Sequence, residues 1–265
     1  MLKPIFAAST KKIQALADGE LQTIENLERL LAGRVFMYID YANVRPWSTH
    51  LKWNIDTLRL KQFLRSFSCI DEIKFYQGTL EEDPKSHEEI AKLKNAGYIV
   101  RTKPVKIMKH SIDASSIAST SDVLLSQFIR RALLREYRGS VIEYLNMEFI
   151  QMNQAGTLFI TDRKCNFDVE IGVDMLLDME RDKADTFVLW SGDSDFSDPV
   201  KTLLDAGKKV ILFGTARKIS RELGALRKNG LIIFDIKKIR QFICWKREIL
   251  PMKSKGDLFA KAPKH

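Results

Sequence analysis

No C-x-x-C pair and no H-E-x-x-H occur in this chain, and its three cysteines (Cys69, Cys165, Cys244) are odd in number and widely spaced. These absences exclude a disulfide framework, a zinc knuckle and a zincin site. The four histidines (His50, His87, His110, His265) show no paired-ligand spacing either. Thirteen glycines and seven prolines in 265 residues are too few for a collagen-like or low-complexity chain. No apolar run approaches the ~18 residues of a membrane helix. The patch from Ile5 to Ala8, ahead of Lys11 and Lys12, is too short for a signal peptide. The expected setting is soluble, reducing and cytoplasmic, with no membrane partner. Phosphate cradles are missing as well. There is no G-x-x-x-x-G-K-[ST] loop, no G-x-G-x-x-G after a strand and no G-x-S-x-G elbow. A nucleoside triphosphatase, a dinucleotide enzyme and an α/β-hydrolase therefore lack their defining turns.

What is present points elsewhere. Apolar residues make up 45% of the chain, too many for disorder. Lys and Arg number 43 against 34 Asp and Glu, a net charge of +9. Such an excess suits a polyanionic partner, most simply nucleic acid. The length fits one large domain or two small ones.

Residues 10–32 have apolar positions at helical spacing, with a break expected at Asp18-Gly19 and a stop at Gly33. They read as an N-terminal appendage, residues 1–33, for packing or for homodimer formation. From Arg34 the texture changes. Val35 to Ile39 is a short apolar run ending in Asp40, as in a buried strand. A helix at 56–67, a strand at 71–76, a helix at 84–95 and a strand at 98–105 follow. Residues 108–155 interrupt this rhythm with a Ser-rich loop and one or two helices, and read as an insertion and a second candidate dimer surface. Leu158-Phe159-Ile160 resumes the alternation. Then come a helix at 167–182, a strand at 186–190, a helix at 197–206, a strand at 210–213, a helix at 217–228, a strand at 231–234 and a terminal helix at 236–247. Alternating strands and helices predict parallel βαβ units, an α/β fold with a mainly parallel central sheet flanked by helices. The expected main domain is 34–247, with a basic tail at 248–265.

Ligands of an open parallel sheet bind beyond the carboxyl ends of its strands. Two strands end in acids there: 35–39 in Asp40, and 186–190 in Ser191-Gly192-Asp193-Ser194-Asp195-Phe196. Asp168 opens a helix, where the helix dipole is expected to hold its pKa low. Asp174, six residues on, reads as a supporting or core-facing acid. Carboxylates gathered this way repel one another unless a cation sits among them, and oxygen ligands suit Mg²⁺ or Mn²⁺. The arrangement fits metal-assisted phosphodiester hydrolysis. Taken singly, each acid also fits a turn or helix cap. A haloacid-dehalogenase-type phosphatase would place a second acid two residues after Asp40, where Ala42 stands. Candidate substrate contacts are Arg45, Trp47, His50, Lys52 and Trp53 in one loop, Lys103, Lys106, Lys109 and His110 along a strand edge, and Arg217, Lys218 and Arg221 at a helix start. For Trp47 and Trp53, packing beneath the loop is the competing reading.

The set YIDYANV, KCNFDVEIGVDMLL, TFVLW running into SGDSDF, and GKKVILFG resembles the NYN domain of the PIN-like nucleases, in its LabA-like (DUF88) branch. The resemblance spans about residues 34–240 without the insertion. It implies a PIN-like three-layer fold and a Mg²⁺- or Mn²⁺-dependent ribonuclease that cuts by attack of a metal-activated water. RNA is the implied partner, with DNA left open. By motif, Asp40, Asp168, Asp193 and Asp195 would hold the metal, with Asn43 and Ser191 orienting water or phosphate. The chain departs from the family pattern at Cys165, where Gly is usual, and in a Lys164-to-Asp168 spacing one residue longer than the short form. A regulatory binding module of the same fold, with little or no turnover, is the alternative.

Overall fold

Val35–Asp40 (β1) carries no charge before its last residue, and all six of its residues are buried. A strand of this kind needs cover on both faces, and it sits at the centre of a sheet. The structure is a computed structural model and describes residues 5–111, 139–157 and 159–249. It divides into two compact units, Val105–Cys165 forming the second.

In the first unit, Lys11–Gly19 (α1) starts on Thr10, whose side chain accepts from the Ile13 amide. Leu21–Leu30 (α2) follows after the break expected at Asp18-Gly19. Ile13, Ala17, Ile24 and Leu27 from these helices are buried in the same core as the sheet. Gly33 then takes a left-handed φ of 71°, and a Cβ there would strike the Asp185 side chain at 2.7 Å. After β1 come Tyr41–Val44 (α3), a 3-10 turn at Arg45–Trp47, Ser48–Leu51 (α4) and Thr57–Leu64 (α5). Asp56 caps α5 by accepting from the Leu58 and Arg59 amides. Ile70–Tyr76 (β2), Pro84–Asn95 (α6) and Ile99–Arg101 (β3) complete the first half.

The second unit contains Lys106–Ser111 (β4), Gly139–Gln154 (α7) and Phe159–Lys164 (β5). Here the structure corrects the expectation that 158–160 rejoins the alternation. β5 pairs antiparallel with β4, from Lys106 opposite Lys164 to Ser111 opposite Phe159, in a two-stranded sheet of its own. Its sequence, FITDRK, carries three charges, which a strand covered on both faces does not tolerate. The Ser-rich loop and the Arg130–Arg138 cluster, within 112–138, and the tail from 250 onward lie outside the described residues.

The chain then continues through Asp168–Glu180 (α8), Thr186–Trp190 (β6), Ser197–Asp205 (α9), Lys209–Gly214 (β7), Arg221–Ala225 (α10), Ile232–Asp235 (β8) and Arg240–Ile243 (α11). Two expected helices are shorter than their sequence patterns. Residues 217–220 form a loop, because Arg217 takes φ 72° and the side chain of Ser220 caps α10. The terminal helix stops at Ile243. Cys244 is extended and bridges Ile55, with the Asp56 amide donating to the Ile243 carbonyl at 2.8 Å.

The main sheet has the order β3-β2-β1-β6-β7-β8 and is parallel at every pairing. The α/β class with a parallel sheet between helices is thus the observed one. Connections run outward from β1 in one direction and from β6 in the other. The order therefore reverses between β1 and β6, and such a switch point opens a crevice at the carboxyl strand ends.

Candidate active site

Ile39 of β1 pairs with Trp190 of β6, so Asp40 and Ser191 follow side by side at the switch point. The Ser191 hydroxyl donates to Asp40 Oδ2 at 2.9 Å, and both residues are buried. Asp40 Oδ1 accepts from the Asn43 amide at 3.3 Å, which caps α3. Asn43 Oδ1 in turn accepts from the Gly192 amide at 3.2 Å, tying the α3 turn to the turn after β6. Ser191 Oγ accepts from the Asp193 amide at 3.3 Å, and Asp193 Oδ1 accepts from the Asp195 amide at 3.2 Å. The two turns are therefore one hydrogen-bonded unit. Asp193 does serve as a turn acid, as the simpler reading held, and both Asp193 and Asp195 act electrostatically on Asp168.

The electrostatics show that meeting. Burial pushes the Asp40 carboxyl up to about 6. The Ser191 and Asn43 hydrogen bonds oppose the rise, and Asp168 and Asp193 add to it. Asp168 is also raised, first by burial, then by repulsion from Asp193 and Asp195, with the Asn166 side chain opposing. The expectation of a low pKa from the helix dipole is thus corrected: Asp168 does open α8, but burial and like charge outweigh the dipole. Asp168 Oδ2 is buried without a hydrogen-bond partner. An orphaned carboxylate oxygen among like charges is a group that suits a cation. Among the described residues, no three acidic, imidazole or thiol side chains converge into a ready-made cage. The donor set, all oxygen, nevertheless fits a hard divalent ion.

Gly192 brings a third segment to this edge. A Cβ on it would lie 1.6 Å from the Lys218 carbonyl oxygen, so only glycine admits the 215–220 loop. The Ser220 amide donates to the Gly192 carbonyl at 3.0 Å and holds the loop in place. Exposed Arg217 and half-buried Lys218 are carried on this loop. Lys103 flanks the opening of α8: its ammonium pairs with Glu170 at 2.5 Å and lies 4.8 Å from the centre of the Phe167 ring.

Other expected contacts fall differently. Trp47 is buried at 2% exposure and would lie 3.3 Å from a Gly192 Cβ, so it supports the turn from below instead of offering a stacking face. Trp53 is buried as well. Arg45 is exposed and lies 3.9 Å from Glu89. Lys106, Lys109 and His110 belong to the second unit, on β4. Asp174 is held elsewhere, accepting from the Tyr76 hydroxyl at 2.7 Å and pairing with Arg101 at 3.2 Å. One residue missed by sequence reasoning is Trp245, at 37% the exposed tryptophan among three buried ones. The expected terminal helix concealed it, and the extended Cys244 reveals it.

Comparison with known proteins adds one family. Residues 121–229 match the NYN domain. The matched stretch includes Asp168, Ser191, Asp193 and Asp195. It begins after Asp40 and Asn43, and it includes residues read above as an insertion. No curated protein matches. Among solved structures, the chain is similar to a protein of unknown function from Vibrio parahaemolyticus RIMD 2210633, at 18% identity and a TM-score of 0.48, covering 80% of this chain and 96% of that one.

Proposed function

We propose that this chain, with its match to the NYN domain of the PIN-like nuclease superfamily, is a ribonuclease that depends on Mg²⁺ or Mn²⁺. The observation that carries the reading is the buried, unpartnered Asp168 Oδ2 among acids that three segments bring to the edge of the β1/β6 switch point. Asp40, Asp168 and Asp193 come from three segments; burial raises Asp40 and Asp168, and the nearby Asp193 charge adds to both rises. Asp40, Asp168, Asp193 and Asp195 would hold the ion. The ion, when bound, supplies charge neutralisation and an activated water for phosphodiester hydrolysis.

The remaining roles belong to the chain itself. Ser191 fixes the orientation of Asp40 through its hydroxyl. Asn43 locks the β6 turn to α3, so the acids of the two strands keep one geometry. Arg217, Lys218 and Lys103 form a basic rim that would hold the phosphates of a strand laid across the acids. Arg45 is the basic group nearest in sequence to Asp40 and would meet the strand on the β2 side.

The test is cleavage of an end-labelled RNA pool with Mg²⁺ or Mn²⁺, against the same reaction in excess chelator. Cutting that needs the ion and disappears in Asp193→Asn is the expected result. Full activity in chelator would overturn the reading. Salt-sensitive RNA binding without cutting would favour the binding-module alternative instead.

A further inference from the structure

A cleft of about 430 Å³ lies beside the acids and takes no part in holding them. Tyr41, Arg45, Asn54, Gln77, Glu89 and Trp245 are among its lining residues. Its position follows from the register. Asp40 pairs with Tyr76, so Tyr41 and Gln77 are the next residues beyond adjacent strand ends. The cleft therefore opens at the same sheet edge as Asp40, toward β2. Its size falls within the roughly 300–1,000 Å³ range of small-molecule sites.

We infer that this cleft receives one unpaired nucleobase of a bound RNA strand, stacked on Trp245. The proposal rests on the ribonuclease reading for its choice of ligand. Three observations favour a base over a phosphate. First, the lining mixes signs: Glu89 faces Arg45 at 3.9 Å, and Asp56 also lines the cleft. A phosphate there would meet two carboxylates. Second, the lining offers both acceptors and donors, since the buried Gln77 donates from Nε2 to Oε2 of the half-exposed Glu89 at 3.1 Å. Such groups can read the edge of a base. Third, the backbone that carries the aromatic wall is held before any ligand arrives, and the ring has a partner on one face. The Trp245 amide donates to the Asn54 carbonyl at 3.1 Å, and the Glu248 amide donates to the Trp245 carbonyl at 2.8 Å. The Glu248 carboxylate accepts from both Asn54 nitrogens, at 2.8 and 2.9 Å. The Arg247 guanidinium is stacked 4.5 Å from the Trp245 ring. A preorganised ring costs little ordering on binding, and stacking serves any base.

Fluorescence separates this proposal from the nuclease reading. Trp47, Trp53 and Trp190 are at most 3% exposed, so quenching by a base reports Trp245. The probe is a short mixed-sequence single-stranded RNA, titrated into the wild type, Asp40→Asn, Trp245→Phe and Trp245→Ala, with melting curves as the folding control. Quenching is expected in the wild type and in Asp40→Asn. Trp245→Ala should bind the RNA about ten- to a hundredfold more weakly, and Trp245→Phe should recover most of the loss. Equal affinity of folded Trp245→Ala and wild type, or saturating RNA without quenching, would overturn the cleft. If RNA is cut but Trp245 is silent, the cleft fails and the nuclease reading stands. If Trp245 is quenched but no RNA is cut, the nuclease reading fails and the cleft stands.

Discussion

Asp40→Asn should make the ion-free protein more stable while abolishing its activity. Asp40 is 3% exposed, and its carboxyl is raised from 3.8 to about 6. A shift of about 2 units corresponds to ~3 kcal/mol. The sign follows from proton binding. Between 3.8 and about 6 the native chain holds the Asp40 proton more tightly than the unfolded chain. Stability therefore falls as pH rises through that window and stays low above it. Asparagine removes the charge and keeps one oxygen for the Asn43 amide, while its Nδ2 can donate to the Ser191 hydroxyl oxygen in place of the bond that Oδ2 accepts. Urea unfolding in chelator at about pH 7.5 should show Asp40→Asn more stable by up to ~3 kcal/mol. For a chain of this length that is a Tm gain on the order of 6–12 °C. The difference should shrink toward zero below about pH 3, where the wild-type carboxyl is protonated in both states. Saturating Mn²⁺ should also narrow it, because the ion binds the native wild type and stabilises it by mass action. An Asp40→Asn protein that is less stable at pH 7.5, or a difference independent of pH, would refute the claim that Asp40 is a buried, repelled carboxylate.

Three further sets of substitutions probe other parts of the molecule. Gly192→Ala places a methyl 1.6 Å from the Lys218 carbonyl, so the 215–220 loop must move. Cleavage should fall at least about tenfold, with a stability loss of ~1–3 kcal/mol read by urea titration. Arg217→Gln with Lys218→Gln should weaken RNA binding across sequences alike and reduce the slope of log affinity against log salt by about 1.4, near 0.7 per lost phosphate contact. Lys74→Met should cost ~3–5 kcal/mol, because Lys74 and Asp178 form a buried ion pair joined by the Tyr38 hydroxyl. Replacing Asp178 by Leu in the same protein should recover most of that loss in the same urea assay.

The parallel sheet was legible because its central strands are unbroken apolar runs that stop at acids. Val35–Asp40 and Thr186–Trp190 announce both their burial and their ends. The placement of the candidate acids was legible for the same reason, since the ends of those strands are where Asp40, Ser191 and Asp193 stand. Less legible was whatever depends on distant pairing. Phe159–Lys164 has a strand's composition, but its partner Lys106–Ser111 could not be read from local pattern. The fate of Trp47 turned on the Gly192 turn arriving above it. The helix periodicity of 236–247 hid the extended residue that frees Trp245, because its apolar positions, Ile236, Ile239, Phe242 and Ile243, are buried whether or not the helix continues. The raised Asp168 is not legible locally, because a dipole is a local feature whereas burial and repulsion from Asp193 and Asp195 need the fold.

The central claim is that acids from β1, α8 and the β6 turn act together through a divalent ion to cut RNA. The most direct measurement is the single-turnover cleavage rate of one labelled RNA across a Mn²⁺ titration, for the wild type and for Asp168→Asn. The account predicts a saturable rise in the wild-type rate, no cutting in chelator, and a rate at least about a hundredfold lower in Asp168→Asn. A rate independent of Mn²⁺, or an Asp168→Asn protein that cuts as fast as the wild type, would contradict it.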